Sequence, residues 1–109
     1  ARARFYTTSL LYFEGAARAA IERLAARAAV ARQGGDCYSY GLLASGHVDL
    51  VVESRLEPYD FLALVPVVEA AGGVITDWSG AALDMASDGR VIAAATPELH
   101  RQARALLPA

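Results

Sequence analysis

The chain has no lysine and no asparagine, and it has a single cysteine, Cys37. One cysteine excludes an internal disulfide framework and a multi-cysteine zinc site. All ten basic side chains are arginine, and with 24 alanines this reads as the usage of a GC-rich genome rather than a chemical adaptation. Ten basic against twelve acidic groups give a formal charge of −2, which argues against a dedicated nucleic-acid surface. No apolar run approaches the ~18 residues of a membrane span. The start, Ala1-Arg2-Ala3-Arg4, has no apolar core of a signal peptide behind it. A cytoplasmic origin is the default expectation. Phosphate-loop, dinucleotide and Gly-x-Ser-x-Gly motifs are all missing.

What is present is apolar. Hydrophobic residues make up 55% of the 109, far from the composition of disorder. Small domains bury a smaller fraction of their surface than large ones. Such an excess, with no initiator Met, is expected of a piece of a longer chain with a partner layer elsewhere.

The pattern alternates strands and helices, so the expected class is α/β. Arg4–Ser9 reads as a strand and Phe13–Ala29 as a helix with Ala17, Ile21, Leu24 and Ala28 on its apolar face. Arg18, Arg23 and Arg27 fall on its solvated side. Gly34-Gly35 breaks the pattern. Asp36 is placed to cap a helix from Cys37 to Ser45, ended by Gly46. His47–Glu53 alternates as a strand, with Val48, Leu50 and Val52 on one face and Asp49, Val51 and Glu53 on the other. Asp60 then opens a buried helix over Phe61–Ala71, kinked by Pro66 and stopped by Gly72-Gly73. Val74–Trp78 and Arg90–Ala95 read as strands around a turn at Ser79-Gly80. Thr96 and Pro97 are cap and first residue of a last helix to Leu107.

Several residues have two readings. Asp60 is either a helix cap or a rigidly aimed oxygen ligand of the kind magnesium takes. Glu53 ends its strand, where open α/β sheets collect ligands; it is either a contact for a hydroxyl or amine, or a solvated edge carboxylate. Gly34, Gly35 and Asp36 form either a turn or a place where backbone N–H groups approach a ligand. Thr7, Thr8 and Ser9 end the first strand as β-formers or as hydroxyls for a phosphate or sugar. Asp49 reads as structural, His47 and His100 as surface residues, and Cys37 as a small buried hydrophobe. Tyr38 and Tyr40 belong to the core or to a pocket wall.

The run from Glu57-Pro58-Tyr59-Asp60 through Glu69-Ala70-Ala71-Gly72-Gly73 to Asp77 resembles the C-terminal signature of the inositol monophosphatase family. That signature is an aromatic–Asp pair, a helix, Glu-Ala-Gly-Gly, a short strand and an Asp. Gly80 and the strand ending at Ala95 follow in the family's order. Within the family, Gly34-Gly35-Asp36-Cys37-Tyr38, Gly46–Glu53 and Thr7-Thr8-Ser9 look most like the histidinol-phosphatase branch. Leu10 departs from it, standing where branch members often have proline.

The resemblance implies the C-terminal half of a layered fold, a central mixed sheet flanked by helices, over residues 1–109. It implies a Mg²⁺-dependent phosphomonoesterase, with histidinol phosphate as the first substrate and inositol phosphate or another small ester as the alternative. By that analogy Asp60 holds a catalytic metal. Glu53, Asp36, Gly34, Gly35 and Ser9 contact the substrate, and acidic Asp36 and Glu53 suit its ammonium. The family's N-terminal motifs, a Glu-Glu pair and an Asp-Pro-Ile-Asp-Gly-Thr-like stretch, do not occur in these residues. The expected partners are therefore a phosphorylated metabolite, that N-terminal half and a second copy in a homodimer. The 109 residues alone are expected to be inactive. A non-catalytic regulatory or assembly module of the same fold is the other class of reading.

Overall fold

The computed structural model describes residues 3–7, 13–34 and 37–108. Five strands form one mixed sheet in the order β2-β1-β3-β5-β4. They are β1 (Arg4–Thr7), β2 (Val30–Gln33), β3 (Leu50–Glu53), β4 (Val74–Thr76) and β5 (Val91–Ala94). β1 runs parallel to both β2 and β3, whereas β5 runs antiparallel to β3 and β4. Among the described residues the α-helices are α1 (Gly15–Arg27), α2 (Cys37–Ala44), α3 (Pro58–Phe61), α4 (Val65–Ala70) and α5 (Pro97–Arg104). The mixed, helix-flanked sheet is the expected architecture.

Strand alternation divides the core in two. Leu50, Val52, Ile92 and Ala94 pack with Ile21 and Leu24 of α1 and Ala103 of α5. Val51, Ala93 and Val91 face the other way, onto Tyr40 and Leu43 of α2, Phe61 of α3 and Val68 of α4. The sheet is thus covered on both faces. This is why β3, at its centre, is buried at all four positions. The expected separation of Leu50 and Val52 from Val51 holds. Val48 instead joins Val51's cluster, because it precedes the strand and escapes its alternation.

Residue chemistry explains the helix limits. Gly46 ends α2 with φ +87°. The His47 N–H donates to the Leu42 carbonyl at 2.8 Å and the Gly46 N–H to that of Leu43 at 3.1 Å, the paired bonds of a left-handed helix stop. Thr96 caps α5, its hydroxyl accepting from the Leu99 N–H at 3.2 Å, with Pro97 in the first turn.

Three expectations are corrected. The helix over Phe61–Ala71 is not one buried helix. It divides into α3, a 3-10 turn at Leu62–Leu64, and α4, with Pro66 in the first turn of α4. Proline has no N–H to give, so the chain starts a new helix there. Only Phe61 and Val68 of that stretch are buried; Ala63, Pro66, Val67 and Ala70 are exposed. His100 is not a surface residue. It is 8% exposed, and its Nε2 lies 2.7 Å from the Thr76 hydroxyl. Finally, Val30–Gln33 is a strand that the sequence reading passed over. It is an exposed edge, paired in parallel with β1. Among the described residues no helix is long and apolar enough to cross a membrane.

Candidate active site

Because β1, β2 and β3 are mutually parallel in order, their carboxyl ends share one edge of the sheet. Thr7, Gln33 and Glu53 are the last residues of those strands. This edge is where parallel α/β sheets present their ligand-binding loops.

Thr7 and Glu53 are both buried, and Glu53, 1% exposed, is therefore not a solvated edge carboxylate. Alternation from Val51 sets its side chain on the α2/α3 face. Seven residues on, α3 presents Asp60. Pro58 starts that helix, and Glu57 rather than Asp60 is its N-cap. Asp60 is the third helical residue, and its Oδ2 accepts the Glu57 N–H at 2.8 Å. The Glu57 side chain accepts the Asp60 N–H in return, a reciprocal capping box. The cap reading is thereby corrected by three positions, and the sequence did carry the sign of it, an acid three residues before another with proline between. Phe61, fully buried, anchors the helix from below, while Tyr59 is 81% exposed. Asp60 is held by one oxygen and by its neighbour's burial, and its carboxylate stands at the surface.

Tyr40 feels the charge of both carboxylates. It is 2% exposed and packs with Phe61 and Val51. Among the described residues its buried phenol oxygen has no hydrogen-bond partner. Burial pushes the phenol well above the usual tyrosine range, and the charges of Glu53 and Asp60 push it further. The Thr7 hydroxyl, at the end of β1, is likewise buried without a partner among the described residues. Buried polar atoms are nearly always paired, so such orphans at a strand end point to a site. Sequence reasoning had Thr7 as a candidate hydroxyl and Tyr40 as core or pocket wall.

Gly34 sits beside Thr7. Its N–H donates to the Thr7 carbonyl at 2.9 Å, its own carbonyl accepts from the Ser39 hydroxyl at 3.3 Å, and its φ is +94°, a conformation that favours glycine. Ser9, Gly35 and Asp36 lie outside the described residues, as do the side chains of Cys37 and Tyr38. Asp49 is bound up in structure, its carboxylate receiving the Arg4 guanidinium at 3.0 and 3.2 Å and the Arg4 N–H at 2.8 Å. The Arg4 side chain holds its carboxyl below the usual range. Asp77 closes a turn, accepting from the Ser79 and Ala81 amides and the Ser79 hydroxyl at 2.9, 2.9 and 2.7 Å.

Magnesium takes hard oxygen ligands. Asp60 suits it as a single ligand, because its Oδ1 carries no hydrogen bond among the described residues. No group of three or more His, Cys, Asp or Glu side chains among the described residues could hold a metal by itself.

Comparison with known proteins places the fold in a family. The family model for the inositol monophosphatase family matches residues 6–108. The bifunctional phosphatase IMPL2, chloroplastic, of Arabidopsis thaliana is 49% identical over 109 residues, covering 94% of this chain and 32% of its own. A histidinol-phosphatase of Chlorobaculum parvum is 38% identical over 60 residues, covering 55% of this chain and 23% of its own. Among solved structures, an inositol monophosphatase from Zymomonas mobilis superposes with a TM-score of 0.93 at 44% identity, over 96% of this chain and 42% of that one. The chain spans about a third of the plant relative and less than half of the solved one. With the signature from Glu57 to Asp77, the strand-end carboxylate and the α3 aspartate all in the family's order, the chain belongs to the inositol monophosphatase family.

Proposed function

We propose that the polypeptide carrying these residues is a magnesium-dependent phosphomonoesterase whose preferred substrate is histidinol phosphate. The observation that carries this reading is the pairing of a buried carboxylate, Glu53, with an outward carboxylate, Asp60, on one edge of the sheet. The two have different work. Asp60, exposed and held by its capping box, serves as one oxygen ligand of a metal. Bound magnesium supplies charge neutralisation at phosphate and an activated water. Glu53, shielded from water, attracts a cation strongly, because little solvent screens it. The ammonium at the far end of histidinol phosphate is such a cation. The family resemblance assigns Asp36, with a second negative charge, and Gly34, Gly35 and Ser9 to contacts with the substrate. The match to a histidinol-phosphatase over 60 residues supports the same branch.

One candidate ligand does not make a metal clamp, so the 109 residues alone are expected to release no phosphate. The remaining ligands come from an N-terminal half of the kind the family carries, and the working enzyme is a cytoplasmic homodimer. The test uses the gene product extended to its natural start. Histidinol phosphate is hydrolysed in preference to inositol phosphate. Glu53→Ala and Asp36→Ala each raise the KM for histidinol phosphate by about tenfold, the scale of one charge-assisted contact. Unchanged affinity and turnover in both variants would remove the ammonium from this reading.

A second reading has one observation in its favour. The solved relative at 44% identity is an inositol monophosphatase, so inositol phosphate is the other substrate to assay. Preferential turnover of it would move the assignment within the family and leave the metal role of Asp60 in place.

A further inference from the structure

The two helix-covered sides of the sheet differ on their outer surfaces. Beyond α3 and α4 the exposed residues include Tyr59, Ala63, Pro66, Val67 and Ala70, a largely apolar set. The outer side of α1 carries Glu22, Arg23 and Arg27, and that of α5 carries Glu98, Arg101 and Gln102. A side with that much charge is built to meet water, not another packed layer.

Between α1 and α5 this water-facing side opens into a cavity of about 420 Å³. Its floor is Leu24, Leu50 and Ala103, all buried members of the core cluster on that face. Leu99 and Leu106 form one wall. Ala28 and Ala105 are too short to fill the space between the helix ends. Arg23 ties the two sides together, its guanidinium donating to the Leu106 carbonyl at 3.3 Å. The cavity is thus formed before any ligand arrives. Its volume and apolar lining are those of a small-molecule site, far larger than the voids of ordinary packing.

Two polar side chains line it, Arg27 and Gln102. The Gln102 amide donates to Glu98 at 2.8 Å. The ion pairs within α1 and α5 are Arg18–Glu22 and Arg101–Glu98, and among the described residues no carboxylate pairs with Arg27. The guanidinium is therefore the group left for a ligand. Leu50 opens β3 and Ala3, which also lines the cavity, precedes β1. The cavity thus lies at the amino ends of the parallel strands, whereas Thr7, Gln33 and Glu53 mark their carboxyl ends. It is also on the face opposite to Phe61 of α3. A molecule held there is remote from Asp60.

We propose that the groove between α1 and α5 is a second binding site, for a small amphipathic anion whose apolar body lies on Leu24, Leu50 and Ala103 and whose carboxylate meets Arg27 at the rim. Apolar burial supplies the affinity. The guanidinium selects the sign of the head group, favouring an anion over a neutral or cationic one.

The test is equilibrium dialysis of the enzyme expressed from its natural start against radiolabelled octanoate, with 1-octanol as the uncharged competitor. About one octanoate binds per chain. It binds about fivefold more tightly than octanol, the scale of one partly exposed ion pair, and added salt narrows that gap. Arg27→Gln abolishes the gap and leaves octanol binding as it was. Ala28→Trp fills the groove and abolishes binding of both. Ala105→Trp does the same from the other side and serves if the first variant does not fold. No octanoate binding by the full-length enzyme, as when the rest of the polypeptide covers the groove, would overturn the proposal. So would binding that survives in a folded tryptophan variant, or a preference for octanoate that survives Arg27→Gln.

Discussion

Two aspartates show how environment sets one residue type in different surroundings. Asp49 is wrapped by Arg4 through side chain and backbone, whereas Asp60 keeps one oxygen clear at the surface. Such differences set the pH response. His100 has its pKa lowered by burial and by the Arg104 charge, so the unfolded chain binds the proton more readily. Stability is then full above about pH 6.5, and falls as pH drops from there through the folded pKa. Asp49 has its pKa lowered by Arg4. At Asp77 burial works upward, but the hydrogen bonds from Ser79 and the backbone prevail and lower it. Both contribute stability that is present above about pH 4 and lost as pH falls through their folded values. Thermal melts at stepped pH thus show a decline beginning near neutrality and a second one in acid. His100→Gln flattens the first and leaves the second; an unchanged profile in that variant would contradict the assignment to His100.

At the scale of elements, sequence was most informative where one residue has one physical use. Gly46 stopping α2 and Thr96-Pro97 starting α5 were legible because left-handed backbone and N-cap bonding are local chemistry. Thr96→Ala, which removes the acceptor for the Leu99 N–H, costs about 1 kcal/mol, to be read as a shifted urea midpoint at constant slope. No shift would mean that the cap contributes nothing. Sequence was least informative where an element depends on its neighbours. Val30–Gln33 has one β-branched residue and no alternation, and becomes a strand only because β1 offers an open edge. The segment after Asp60 carried enough apolar residues to look like a buried helix, but Pro66 restarts it and leaves its outer side exposed. His100 shows no sign in sequence of its burial against Thr76, a contact between residues 24 apart.

At the scale of the molecule, 29 × 28 × 24 Å across, the parallel order of β1, β2 and β3 matters most, because it brings residues far apart in the chain to one edge. The family signature singled out Asp60 and the end of a strand singled out Glu53, seven residues before it. That Glu53 is buried, that Asp60 is the third residue of α3 and not its cap, and that Tyr40's hydroxyl lies in the field of both were invisible, since each depends on packing between α2, α3 and β3. The central claim is that Asp60 holds the metal of a phosphate-releasing site. It is tested most directly by measuring phosphate release from histidinol phosphate across a magnesium titration, with wild-type enzyme expressed from its natural start and with Asp60→Asn. The account predicts saturable, magnesium-dependent release by the wild type and a loss of about a hundredfold or more in the variant, the scale of several kcal/mol of charge stabilisation from a metal. An Asp60→Asn enzyme with wild-type turnover and an unchanged magnesium dependence would contradict it.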